Sequence, residues 1–291
     1  GVVNLETALT THDEPWPGKG IHYRMHPDNV PLLTAAGLHA VVLGNNHVLD
    51  WGREGLRESL RTLGDAGLAT PGAGMDEEEA GSPARLDTPR GRLLLFSYAS
   101  PSSGVLPRGD AGADRSGVNL LDTLGPSGAE RVAEEVAAHR RDGDRVVVSV
   151  HWGGNWGYEI PGEQRLFARH LIDLDGADLV YGHSSHHPKG MEVHDGRLVL
   201  YGVGDFLNDY EGIGGHEAYR GELTLMYVPR LASDGRLEAL EMTPMHIGSF
   251  RLRRADDDET RWLADRLDRE SGVFGAGVVE TGDGRLALTW R

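Results

Sequence analysis

The 291-residue sequence predicts a mixed α/β fold. Short apolar runs alternate with amphipathic helical stretches as far as about residue 190. Hairpin-type turn signals dominate after Gly190, and polar clusters follow directly on several of the strand-like runs.

Taken in order, Gly1-Val2-Val3 opens as a strand leading into Asn4-Leu5-Glu6. Asp28 is placed to cap a helix carrying Val30, Leu33 and Ala36, because a short acidic side chain can accept from an unpaired amide of the first turn. Residues 38–43 read as a buried strand, and Leu56, Leu60 and Leu63 then recur at helical spacing. Two further strands are expected at 92–98 and 145–150. Between them Ser127 and Glu130 predict a capping box ahead of Val132 and Val136. Phe167, Leu171 and Leu174 mark another helix, and residues 177–181 another strand. Asp195-Gly196 then predicts a tight hairpin, with strands at 221–227 and 237–242. An acidic first turn at 256–259 suits the positive end of a helix dipole and starts a helix with Trp262, Leu263 and Leu267 on one face. Gly282-Asp283-Gly284 makes a late turn, and residues 71–91 and 100–125, rich in Gly, Pro, Ser and Asp, read as loops. The expected division is a main domain over 1–255, with the helix and hairpin of 256–291 packed on it.

Composition narrows the functional classes. The balance of 29 basic and 45 acidic residues gives a net charge of −16, which repels phosphate backbones and anionic lipid over most of the surface and argues against nucleic-acid or membrane-surface binding as the main task. With no cysteine there is no disulfide, thiolate zinc site, thiol nucleophile or iron–sulfur cluster. No apolar window reaches the roughly 18 to 20 residues of a membrane span, so the chain reads as soluble, with the cytoplasm favoured. Fourteen histidines stand out against this background. Only two lysines, Lys19 and Lys189, accompany 27 arginines.

The chemistry concentrates in four polar clusters, each following a strand-like run: Asn4 and Glu6; Asn45, Asn46 and His47; His151; and the run from His183 to His187. Ligands of open α/β sheets bind beyond the carboxyl ends of strands, where distant segments meet in one crevice. Imidazole, carboxylate and amide oxygen suit hard or borderline divalent ions such as manganese, zinc, iron or magnesium.

These segments carry a resemblance. Asn4-Leu5-Glu6-Thr7, the stretch from Gly44 to Gly52, Val148-Ser149-Val150-His151-Trp152-Gly153, the stretch from Gly182 to Pro188, and Leu200-Tyr201-Gly202-Val203-Gly204-Asp205-Phe206 together resemble the CapA-like proteins of poly-γ-glutamate capsule synthesis, over roughly residues 1 to 255. The resemblance implies a calcineurin-like metallophosphoesterase fold, a two-sheet sandwich flanked by helices. It implies Glu6, Asn46, His151, His183 and His186 as metal ligands, with His187 a less certain neighbour and His47 as general acid. Two divalent ions would lie about 3.5 to 4 Å apart and activate a bound water. The family opens with a Gly-Asp motif N-terminal to the Asn-Leu-Glu run, which the chain begins too late to contain; the expectation is either a fragment lacking that Asp ligand or, for a complete chain, one metal position short of a carboxylate, with neither Asp205 nor Asp283 an obvious substitute, although Asp205 lies in a motif segment and could reach the site.

Lys19, His22 and Arg24 form a basic patch, in which Lys19 and Arg24 are candidates to read an anionic substrate. Trp152, Trp156 and Tyr158 follow His151, and Trp152 and Tyr158 are candidate walls of a substrate pocket. His246 stands where the resemblance implies a glutamine, and as an ionisable residue there it is a candidate base. Three functions are therefore expected in turn. The first is a divalent-metal enzyme acting on a peptide or polyglutamate-type substrate by hydrolysis or acyl transfer. The second is a metal-dependent peptide epimerase using His246 to abstract a Cα proton, and the third a non-catalytic capsule-assembly subunit.

Overall fold

The computed structural model describes residues 1–106, 108–209 and 214–291. It divides into two compact units, Gly1–Trp152 and Gly153–Arg291.

In chain order the first unit contains β1 (Val2–Asn4), β2 (Ala8–Leu9), β3 (Arg24–Met25), α1 (Val30–Ala35), β4 (Ala40–Val42), α2 (Gly52–Asp65), β5 (Ala73–Gly74), α3 (Glu77–Gly81), β6 (Ala84–Thr88), β7 (Gly91–Ala99), β8 (Gly117–Val118), α4 (Pro126–His139) and β9 (Arg145–His151). β1 lies parallel to β4 with Asn4 opposite Val42, and β7 lies parallel to β9 with Ala99 opposite His151. Both parallel pairs therefore deliver a polar residue, Asn4 or His151, at a carboxyl end. The apolar face of α2 explains how the strands are held. Leu56, Leu60 and Leu63 are buried in one cluster with Leu9, Val41 and Leu43, and each such side chain contributes about 1.5–3 kcal/mol by leaving water.

The caps expected in this unit are made differently. α1 begins after Asn29, which makes no side-chain cap bond, and Asp28 belongs to a preceding 3₁₀ turn where its amide donates to His26 Nδ1. α4 starts two residues earlier than the Ser127–Glu130 box requires: Pro126 occupies the first turn after Gly125, since its fixed φ suits a helix start and it has no amide to satisfy. Residues 71–91 hold β5, α3 and β6 instead of a continuous loop. β6 escaped detection because Arg85, Asp87 and Thr88 leave it without an apolar run, and its pairing with β7 supplies the order.

The second unit contains α5 (Gly162–Asp173), β10 (Leu179–His183), β11 (Met191–His194), β12 (Arg197–Leu200), β13 (Leu223–Leu231), β14 (Leu237–Gly248), β15 (Arg251–Arg254), α6 (Asp257–Gly272), β16 (Ala276–Glu280) and β17 (Leu286–Trp290). β12 pairs parallel with β10 and antiparallel with β11. The β11–β12 turn places Asp195 and Gly196 at φ 44° and 76°, the doubly left-handed geometry that Asp-Gly tolerates. A second sheet runs β13-β14-β17-β16, with β15 also on β14. α6 carries the full capping box, Asp256 bonding the Glu259 amide and Glu259 the Asp256 amide. Leu263 and Leu267 are buried, whereas Leu174, expected on the apolar face of α5, caps that helix and is exposed. Each unit is thus mixed α/β, with sheets and helices layered together, and the C-terminal helix and hairpin belong to the second.

Candidate metal centre

In the first unit the site grows from the loop after β4. Gly44 begins it because a Cβ there would lie 2.7 Å from Ser97 Oγ and 2.9 Å from the Tyr98 carbonyl carbon, so only glycine allows the approach to β7. The two asparagines that follow have different work. Asn45 is buried; its amide nitrogen donates to Asn4 Oδ1 and to the Leu5 carbonyl, each at 2.9 Å, while its Oδ1 accepts from the amides of His47 and Val48. It ties the end of β1 to the loop. Asn46 is left to present its side chain, and its Oδ1 lies 3.0 Å from His151 Nε2. Glu6, held at Oε2 by Asn4, places Oε1 3.4 Å from the same nitrogen. The ring of His151 is fully buried.

Carboxylate, amide oxygen and imidazole from Glu6, Asn46 and His151 therefore meet around one point. Among the described residues no group of three His, Asp or Glu side chains forms a metal-holding set. Three donors are reached in this unit only with the Asn46 amide oxygen. The donor chemistry fits a hard or borderline divalent ion.

His47 is oriented beside this point. Its Nδ1 donates to Asp50 Oδ2 at 2.7 Å, which sets the hydrogen on Nδ1, and Tyr23 stacks on the ring at 4.1 Å between centroids. Asp50 has no exposed surface and also accepts from the Tyr23 amide at 2.6 Å and from the Lys19 ammonium. Asp50 is the functional residue that motif reading passed over; its signal was the three-residue spacing from His47. Lys19 donates to the Asn46 carbonyl as well, so its charge is directed into the loop that carries Asn46 and His47. Arg24 is exposed: its guanidinium lies 4.3 Å over the Trp51 ring, donates to the His12 carbonyl, and has no carboxylate partner among the described residues. Trp152 is buried in the core and offers no wall to solvent.

The second unit holds the remaining histidines. His183, at the end of β10, is 3% exposed, and burial pulls it down to about 3, so it is a neutral imidazole at neutral pH. Ser184 follows at φ 117°, a left-handed-side conformation costing about 1–3 kcal/mol in a non-glycine residue, and its hydroxyl donates to the Gly153 carbonyl. His186 pairs through Nδ1 with Asp205 Oδ2 at 2.9 Å, and Asn208 donates to the same oxygen. Asp205 thus fixes the orientation of the His186 ring. His187 uses both nitrogens: Nε2 accepts from the Gly157 amide and Nδ1 donates to the Pro188 carbonyl. Burial, opposed by that last bond, brings it to about 4, and no ring nitrogen remains for a metal. Tyr158 packs on His187 and beneath Arg266, and burial pushes its hydroxyl up to about 12. His246 donates to Glu259 at 2.7 Å, a carboxylate that also receives two bonds from Arg253.

A family model for the bacterial capsule synthesis protein PGA_cap matches residues 1–210, and the chain belongs to that family. A probable polyglutamine synthesis accessory protein of Mycobacterium tuberculosis is 43% identical over 290 residues, covering 99% of this chain and 76% of the relative. The PGA biosynthesis protein CapA of Bacillus subtilis is 26% identical over 229 residues, covering 79% of this chain and 56% of its own. Among solved structures, a hypothetical protein from Thermus thermophilus is similar with a TM-score of 0.48 and 17% identity, over 88% of this chain and 87% of that one.

Proposed function

We propose that this family member is a divalent-metal-dependent enzyme acting on a peptide or polyglutamate-type substrate, by hydrolysis or acyl transfer. The observation that carries the reading is the meeting of Glu6, Asn46 and His151 beside a His47 ring fixed by buried Asp50. Glu6, Asn46 and His151 would hold a metal ion in the first unit; His183 and His186 are proposed as ligands on the family resemblance. A bound divalent ion supplies Lewis-acid polarisation and a water of lowered pKa. His47, carrying its second proton on Nε2, gives that proton to the leaving group, and Asp50 stabilises the imidazolium from the Nδ1 side. Arg24, braced on Trp51, pairs with a substrate carboxylate in a geometry lysine cannot copy. The names of the relatives, polyglutamine synthesis accessory protein and PGA biosynthesis protein, support a glutamyl substrate.

Nothing about His246 favours Cα proton abstraction. Glu259, with Arg253 and the Asp256 amide, makes a helix cap that accounts for the ring without chemistry.

The test is incubation with poly-γ-glutamate and short γ-glutamyl peptides, with chain length read by mass spectrometry before and after chelation. Cleavage or transfer that stops on chelation and returns with metal is expected. Activity unaffected by chelation, or an intact substrate with metal bound, overturns the reading.

A further inference from the structure

His151 carries the ring on which Glu6 and Asn46 converge, and it is also where the β7–β9 ladder stops holding the chain. It is the last residue of β9, and its partner Ala99 is the last residue of β7, so this ladder ends at the residue whose placement the candidate centre depends on. The turn that follows β7 takes over the restraint.

That turn is a 3₁₀ segment, Pro101–Ser103, entered through Ser100 and left through Gly104 at φ 79°. Its own backbone closes it: the Ser103 amide donates to the Ser100 carbonyl at 3.1 Å, and the Gly104 amide to the Pro101 carbonyl at 3.3 Å. Two further bonds leave the turn for one acceptor outside it. The Ser100 amide donates to the His151 carbonyl at 2.9 Å. Ser103 Oγ lies 3.0 Å from that carbonyl and 2.8 Å from the Ser100 carbonyl, and shares its one proton between them. Ser103 is 7% exposed, so this bond is made away from bulk water. The turn also lies against the second donor, since a Cβ on Gly104 would be 3.5 Å from Asn46 Nδ2. Closing the turn does not require the bond from the Ser103 hydroxyl to His151. What the bond does is fix the His151 backbone, and for a fully buried ring the backbone decides where Nε2 falls relative to Asn46 Oδ1 and Glu6 Oε1.

We infer that Ser103 is a positioning residue, whose hydroxyl sets the His151 imidazole for divalent-metal binding with Glu6 and Asn46. The inference rests on the metal reading above and assigns this serine a share of the affinity. Groups that hold ligands in place account for roughly 10–100-fold in metal affinity. Because the Ser100 amide keeps its bond to the same carbonyl, the lower end, about tenfold, is expected here. Ser102 supplies an internal comparison: it sits on the same turn, is exposed, and has its Oγ 3.0 Å from Ser100 Oγ.

The probe is cobalt(II), titrated into the chelator-stripped full chain and into Ser103→Ala, Ser102→Ala and His151→Ala, each checked for native circular dichroism and followed by visible absorption. The band that disappears in His151→Ala reports this position and separates it from cobalt held elsewhere. Ser103→Ala should show that band with a shifted maximum and a dissociation constant raised about tenfold, while Ser102→Ala should titrate as the original protein does. A Ser103→Ala protein that binds cobalt like the original, even one that unfolds at a lower temperature, overturns the inference and leaves the hydroxyl a role in turn stability alone. An equal loss in Ser102→Ala overturns it too, because the effect would then belong to the turn as a whole. Both of those results leave the metal reading standing, whereas an original protein with no band dependent on His151 overturns the two together.

Discussion

Replacing Asp50 with Ala removes the acceptor of three donors at once. The Lys19 ammonium, His47 Nδ1 and the Tyr23 amide converge on a carboxylate with no exposed surface, and the Lys19 side chain is itself only 10% exposed. Breaking a buried ion pair by deleting one partner costs about 3–5 kcal/mol, because the other charge stays behind. The Tyr23 amide and the His47 ring add about 1–3 kcal/mol each where water does not reach them. Entry of water into the vacated space offsets part of that sum, so a loss of about 4 kcal/mol is expected. At roughly 2–4 °C per kcal/mol the midpoint of the first unit falls by about 8–16 °C. Trp16 and Trp51 fluorescence, followed through urea and heat, reads this unit. Nitrogen-15 shifts of the His47 ring provide a second check, with the Nδ1–H form expected in the original protein and a mixture of tautomers in Asp50→Ala. A variant within 1 kcal/mol of the original, with its His47 tautomer unchanged, would refute the role given to Asp50.

Other consequences can be measured alongside. Burial works to raise Glu259, but hydrogen bonds from Arg253, the Asp256 amide and His246 bring it down to about 2 from the ordinary 4.5, a difference of about 3 kcal/mol at 1.36 kcal/mol per pH unit. Its folded pKa is the lower one, so this stability is complete above about pH 5 and is lost as pH falls toward 2. Glu259→Gln should flatten that acid limb in urea titrations, and parallel limbs would contradict the assignment. Gly44→Ala should destabilise the first unit by several kcal/mol through its clash with Ser97 and Tyr98, with circular dichroism as the readout. Once a substrate is in hand, His47→Asn should slow turnover by about 10² to 10⁴ with metal content unchanged in elemental analysis; an undiminished rate would remove His47 from the chemistry.

Strand existence was legible because buried parallel strands are written as apolar runs, and β4, β7, β9 and β10 fall where 38–43, 92–98, 145–150 and 177–181 were expected. Helix starts were less so. Asp28 and Ser127 have the right side chains for caps, yet local backbone geometry gave the positions to Asn29 and Gly125. β6 could not be read because an edge strand with Arg85 and Asp87 owes its order to β7. In the site, Glu6, Asn46 and His151 were visible as polar residues at strand ends, and the structure brings these three together. The division of labour inside Asn45-Asn46 was hidden, since identical side chains differ only in which neighbours they meet. The same holds for Asp50 and Asp205, whose partners His47 and His186 are set by ring orientation. Lys19 pairs with Asp50 across 31 residues, a contact that no local pattern announces.

Metal content of the purified protein bears most directly on the central claim. The protein, stripped by chelation and reloaded with manganese or zinc, is measured by elemental analysis together with Glu6→Gln, Asn46→Ala and His151→Ala, each checked for native circular dichroism. Bound divalent metal in the original protein, accompanied by a raised unfolding midpoint and lost or sharply reduced in all three variants, is the expected result. A folded protein that takes up neither ion, or variants that retain full occupancy, would contradict the assignment of Glu6, Asn46 and His151 as a metal centre.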